Sequence, residues 1–413
     1  MKPPSPFRRD FTLVVIGQII SLFGNAVLRF ALSLYVLSLT GSAAVFGGIL
    51  AVAMVPTVLL SPIGGVLADR MPRQRIMVVL DFSSCAFILL YDLLFAASGS
   101  LAAITVFLVL LSLIQAVYQP SVQASIPSLV DPDSLMAANG VVMQVQALAS
   151  LLGPILAAVL YAAFGLGPIL AVSAACFFGS AVLELFIRIP FSPMERTASA
   201  LGQIRRDLGD AFRFLSRDDP HLLQLLGIIA LINLFLSALY MVGMPWLVKV
   251  YLGLSDQLYG FAEASMGVGA ILGGLLSGVL GARVGFRRSH LFLLAAGLTL
   301  LPLVAVLGLG GTPGLTYAAL LAAMALGMAA ATLFSIVAQT YLQQETPPAL
   351  LGKVASFVTT ICTCALPVGQ AMYGGFFEAL RALPGLVFLL GTLVTVALAL
   401  ATRKVLHRAV SPA

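Results

Sequence analysis

From Gly64 to Arg75 the sequence reads GGVLADRMPRQR, a glycine pair leading into Asp69, Arg70, Arg73 and Arg75 directly after a long apolar run. A related stretch, GGLLSGVLGARVGFRR, spans Gly273–Arg288. Apolar runs that end in short, strongly charged breaks are the pattern of membrane-spanning helices joined by basic loops. Composition agrees, since 60% of the 413 residues are hydrophobic and only 9% are charged, against about 25% charged in soluble domains. Roughly 20 apolar residues suffice to cross the hydrocarbon layer as a helix. The runs are apolar on every face, which excludes barrel strands that alternate in polarity.

Polar breaks divide the chain into twelve expected spans, near 12–38, 43–68, 76–97, 101–124, 136–163, 166–188, 221–249, 257–282, 288–309, 314–341, 350–377 and 384–402. The expected fold is therefore an all-α membrane protein. The opening MKPPSPFRRDF runs into the first span without a short apolar region and cleavage site, so that helix is expected to be retained. Cys85, Cys176, Cys362 and Cys364 fall inside spans at spacings that suit neither zinc nor a disulfide framework, and read as packing residues.

Nineteen of the 22 Lys and Arg residues lie in the two tails, the central linker and the loops after spans 2, 8 and 10. Lys249 and Arg381 lie on the opposite side, and Arg29 within span 1. The positive-inside rule then places both termini on the cytoplasmic side of the membrane. Topology and anionic lipid account for the net charge of +6 without a nucleic-acid partner.

The longest polar interruption separates residues 1–189, a first six-helix bundle, from 221–413, a second bundle with a short tail. In the linker, 190–220, Leu201, Ile204, Leu208, Ala211, Phe212 and Leu215 share one face of an amphipathic helix. The halves repeat at an offset of 213 residues: Gly65-Val66-Leu67 matches Gly278-Val279-Leu280, Arg70 matches Arg283, Arg75 matches Arg288 and Pro154 matches Pro367. Two repeated six-helix halves around a normal axis are an architecture of alternating-access transporters.

The loop after span 2 resembles the signature G-x-L-a-D-r-x-G-r-[KR] of the major facilitator superfamily, with Pro72 where glycine is usual and Ala282 replacing the acid in the second copy. Further stretches are similar to its drug-efflux branch, typified by macrolide efflux proteins with enterobactin exporters as cousins: TGSAAVFGGIL, VVLDFSS, YQPSVQASIPSLVDPDSLMAANG, LLGPILAAVLY, AEASMGVGAILGGLLSG and QQETPPALLGKVASF. The resemblance implies the major facilitator fold of twelve helices in two pseudo-symmetric bundles, with helices 1, 4, 7 and 10 around a central cavity. The charged residues themselves suggest a cytoplasmic gate. Gly65 permits close helix approach, and Asp69 can meet a helix N-terminus or an arginine. Arg70, Arg73 and Arg75 anchor the loop at the inner interface, and Asp81, a turn or so beyond Arg75, joins them. For Arg73 and Arg75 a purely topological role is the alternative. Span 4 lacks the arginine of many proton-coupled relatives, with Leu111 near its place, and GPILAA keeps only part of the exporters' span 5 signature.

Charges within hydrocarbon are costly and usually face a cavity or partner. Glu263, at a position where the macrolide exporters carry a membrane glutamate, Asp92 and Arg29 are the candidates for proton coupling. Arg29, one turn after Asn25, either serves a cavity or ion pair or snorkels outward. Glu184 and Arg188 have the spacing of a local pair. Polar groups on the expected lining helices are Gln18, Asn25, Gln115, Tyr118, Gln119, Asn233, Tyr240 and Gln339. A mostly apolar cavity with a few such groups suits amphipathic ligands. Trp246, the only tryptophan, lies near the outer end of span 7 and reads as an interface anchor.

The sequence thus predicts a monomeric secondary transporter that exports drug-like hydrophobic or amphipathic molecules, in the manner of multidrug resistance proteins, by antiport with protons. Alternatives are a dedicated exporter of a siderophore or other metabolite, or a lipid transporter. No catalytic constellation, nucleotide-binding loop, metal set or cofactor motif is visible, so no enzyme activity is expected.

Overall fold

The computed structural model describes residues 9–131, 134–189, 200–277, 284–347 and 350–409, with side chains omitted at some helical positions. All regular structure among the described residues is helical. In chain order the helices are α1 (Arg9–Thr40), α2 (Ala43–Arg70), α3 (Arg73–Phe95), α4 (Leu101–Leu129), α5 (Leu135–Phe164) and α6 (Leu166–Leu185), then the short α7 (Ala200–Arg213). There follow α8 (Pro220–Tyr251), α9 (Asp256–Leu276), α10 (Phe286–Gly308) and α11 (Pro313–Glu345). The last two are α12 (Leu351–Ala379) and α13 (Pro384–Ala409). Eleven helices contain described segments long and apolar enough to span a membrane; in the remaining long helix, α2, the described apolar part is Ala43–Thr57.

Local chemistry sets the helix ends. Ser100, Asp219, Ser255 and Thr312 each accept a hydrogen bond from a first-turn N–H of α4, α8, α9 and α11 respectively. Gly165 separates α5 from α6 at φ 71°, a conformation in which a Cβ would be strained. Shifting Arg73–Phe95 by the 213-residue offset lands on 286–308, the bounds of α10. Pro154 and Pro367 lie inside the corresponding helices α5 and α12.

The chain divides into two compact units: Met1–Leu39 with Val52–Gly202, and Thr40–Ala51 with Gln203–Ala413. In the first unit α1 and α6 meet along small residues, where Ser173 and Ser180 donate to the carbonyls of Gly24 and Gly17 at 3.1 Å. Tyr91 of α3 stacks on Phe107 of α4 at 4.6 Å between centroids.

In the second unit α9 and α11 approach still more closely. A Cβ on Gly269 would fall on the Ala325 carbonyl, and one on Gly273 on the Ala329 carbonyl. Glycines four apart on one face produce such a seam. The first turns of α2 also belong to this unit, with Ser42 donating to Glu378 at 2.8 Å. Trp246, expected to anchor at the lipid interface, is instead fully buried, 5.1 Å from Phe377 between ring centroids. An indole packs as core wherever apolar neighbours enclose it.

Candidate functional site: an uncharged cavity and a buried polar cluster

Within the second unit α8, α11 and α12 enclose a cavity of about 500 Å³. Its polar lining comes from Asn233 and Ser237 of α8, Thr332, Ser335 and Gln339 of α11, and Thr359 and Thr363 of α12; Ile229, Met328, Phe334 and Val358 supply much of the apolar wall. None of the lining residues carries a charge. Asn233 opens a widened π turn, Asn233–Ser237, and donates its amide to the Ile229 carbonyl at 3.0 Å. Such turns shift the side-chain register of a helix and recur at functional positions.

The polar residues expected to line a cavity therefore separate. Asn233 and Gln339 do line this one. Tyr240, one helix turn beyond Ser237, is fully buried with its hydroxyl towards Gly327 and Thr299. In the first unit Gln119 accepts from Gln146 at 3.5 Å, and Gln115 is half-buried. Gln18 is buried, and its amide atoms have no hydrogen-bond partner among the described residues. Asn25 accepts from the Arg29 guanidinium at 3.2 Å, and Ser112 does so at 3.0 Å, so both partners of this cation are neutral.

A second polar group sits inside the first unit. Tyr118 of α4 donates to Glu184 Oε1 of α6 at 2.7 Å and lies 3.4 Å from the Ser21 hydroxyl of α1. Asp81 of α3, 1% exposed like Glu184, is close enough to act electrostatically on both Glu184 and Tyr118. Ser180 stands beside Asp81, but its hydrogen goes to the Gly17 carbonyl. Neither Asp81 oxygen nor Glu184 Oε2 has a hydrogen-bond partner among the described residues. Glu184 thus faces a tyrosine on another helix, while Arg188 is exposed.

Of the expected gate, Arg73 reaches the Ala124 carbonyl at 2.6 Å and Arg75 is exposed. The surroundings of Gly65 and the side chains of Asp69 and Arg70 lie outside what the structure describes. Glu263 is half-buried on α9, one turn after Tyr259, and is not among the cavity-lining residues; Asp92 is exposed. Two features escaped sequence reasoning: the Asp81–Glu184–Tyr118 grouping and the part of the cavity wall made by α12. The hydroxyl-rich run VTTICT, Val358–Thr363, was the available signal for the latter.

Comparison with known proteins supplies the context for these features. The Major Facilitator Superfamily family description matches residues 14–370. Macrolide efflux protein A of Streptococcus pyogenes is 25% identical over 393 residues, covering 92% of each chain. Enterobactin exporter EntS of Escherichia coli O1:K1 / APEC is 27% identical over 325 residues, covering 76% of this chain and 72% of its own. Among solved structures, that of the nucleoside transporter NupG superposes with a TM-score of 0.75 at 14% identity, covering 96% of this chain and 99% of that one. The inward-facing bacterial homologue of the iron transporter ferroportin gives 0.69 at 20% identity, with 95% and 98% covered.

Proposed function

The chain belongs to the major facilitator superfamily, and we propose that it exports hydrophobic or amphipathic small molecules by alternating access, in exchange for protons. The carrying observation is the cavity of about 500 Å³ in the second unit, whose lining holds no charged residue. That volume falls within the roughly 300–1,000 Å³ typical of small-molecule sites. Apolar side chains there would take the body of a ligand out of water, while Asn233, Gln339 and the hydroxyls of Thr332 and Thr359 orient its few polar groups. A polyanionic siderophore would find no counter-charge on this wall. The efflux names of relatives matched over most of their length support the same reading.

Export against a gradient needs an exchangeable charge. Glu263 is half-buried in a spanning helix, where a carboxyl that trades its proton changes the energy of its own surroundings. The exporter would sit in a bacterial plasma membrane with both termini cytoplasmic, as the distribution of its basic residues implies.

The test is accumulation of a radiolabelled macrolide and of a rhodamine dye in cells stripped of their own exporters. Expression should lower the accumulation of at least one probe, and a protonophore should abolish the difference. Accumulation equal to that of non-expressing cells for both probes would count against export.

A further inference from the structure

We propose that Asp81 and Glu184 together hold one exchangeable proton inside the first unit, forming a coupling site separate from Glu263. The proposal rests on reading the chain as a proton-driven exporter, and it names the group in this unit that would bind the driving ion.

The donors around the pair are already committed. Tyr118 gives its hydrogen to Glu184 Oε1, Ser180 gives its hydrogen to Gly17 and Ser84 gives its own to Leu80. The Ser21 hydroxyl meets Tyr118. Both oxygens of Asp81 and Oε2 of Glu184 are left buried with no donor among the described residues. The groups that meet the pair are Gly17 from α1, Tyr118 from α4 with Ser21 of α1 behind it, and Ser180 on the helix of Glu184. No lysine, arginine or histidine among the described residues pairs with either acid.

Two buried carboxylates without a cation cannot both carry charge at tolerable cost. A single proton answers both deficits. It cancels one of the two charges and supplies an O–H donor where the carboxyl oxygens have none. Like-charge pairs that share a proton behave in this way.

The pair is also tied to two further helices. Tyr118 links Glu184 on α6 to Ser21 on α1. Losing the shared proton restores a second negative charge beside that phenol and changes the tie between the three helices. No bond other than O–H forms or breaks. The proton arrives from one aqueous face and leaves to the other.

The experiment uses the full-length protein in sodium-free lipid nanodiscs. Infrared spectra recorded against pH would follow the C=O stretch that only a protonated carboxyl shows. The proposal expects this band in the wild type, its persistence in Glu263→Gln, and its loss by one carboxyl's amplitude in Asp81→Asn with Glu184→Gln. Carbon-13 aspartate and glutamate labelling of the wild type gives a second readout that does not depend on folding of the doubly substituted chain: a buried band must shift with the label.

In proteoliposomes, either single substitution should reduce gradient-driven uptake of a radiolabelled macrolide about tenfold or more, while gradient-independent exchange of the macrolide persists. An unchanged band in the doubly substituted protein, or a band removed by sodium but insensitive to pH, would overturn the proposal. If the wild type moves no macrolide in either assay, the exporter reading fails while the infrared result still decides whether the pair binds a proton.

Discussion

Lys353 Nζ at the start of α12 lies 2.7 Å from Asp210 Oδ2 on α7. This ion pair fastens the linker helix to a spanning helix of the same unit, and both partners remain partly open to solvent. The lysine's hydrogen bond, then its charge, with smaller help from Arg213 and Arg206, holds the Asp210 carboxyl below the usual carboxylate range. A lowered folded-state pKa means that the tie is present above the ordinary aspartate value of about 3.9 and is lost as pH falls through the folded value. The protection factors of α7 amides, taken against the slower intrinsic exchange at low pH, should therefore fall in acid, in high salt and in Asp210→Asn. The doubly substituted Asp210→Asn, Lys353→Gln chain should be no worse than either single one. Indifference of these amides to all three changes would show that the pair fastens nothing.

The α9–α11 seam predicts a steric penalty. Gly269→Val would drive methyl groups into the Ala325 carbonyl, where no side chain can give way. Overpacking of this kind costs about 1–3 kcal/mol, which should lower the thermal midpoint in detergent. Gly274, whose Cβ direction is open, should tolerate alanine. Equal stability of both variants would contradict the close approach.

How far the sequence alone reaches is visible in these same helices. Hydropathy located the spans because each must be apolar for its whole length, and the 213-residue offset of α3 landed on the bounds of α10. Asn233 and Gln339 were legible as polar breaks on expected lining helices. Glu184 was read towards Arg188, since helical periodicity names neighbours four residues away and is silent about Tyr118, 66 positions distant. Trp246 was read as an interface anchor because depth in a helix does not reveal what packs around it. Asp81 was assigned to the gate by its nearness to Arg75 in sequence, whereas its side chain lies beside Ser180, within electrostatic reach of Glu184.

Arg29 offers a test of function against stability. Its partners Asn25 and Ser112 are neutral, so removing the charge relieves an insertion cost of about 2.5–3.5 kcal/mol without stranding an acid. Arg29→Met should unfold at equal or higher temperature than the wild type and transport more slowly. A less stable variant with unimpaired transport would assign Arg29 a structural role only.

Obstructing the cavity gives a direct probe of its use. Ser335 is exposed on the cavity wall, and Ser335→Trp places an indole in the space without disturbing the buried core. Stability should change by less than about 0.5 kcal/mol, while uptake of a bulky macrolide falls about tenfold and that of a smaller dye falls less. Unchanged macrolide uptake would move the transport path elsewhere.

Export by exchange with protons is tested most directly in proteoliposomes loaded at acid pH and diluted into neutral, sodium-free buffer containing a radiolabelled macrolide. An antiporter must fill the vesicles only while the lumen stays acidic, and nigericin must stop the filling. Filling that proceeds equally with and without the gradient would contradict proton exchange.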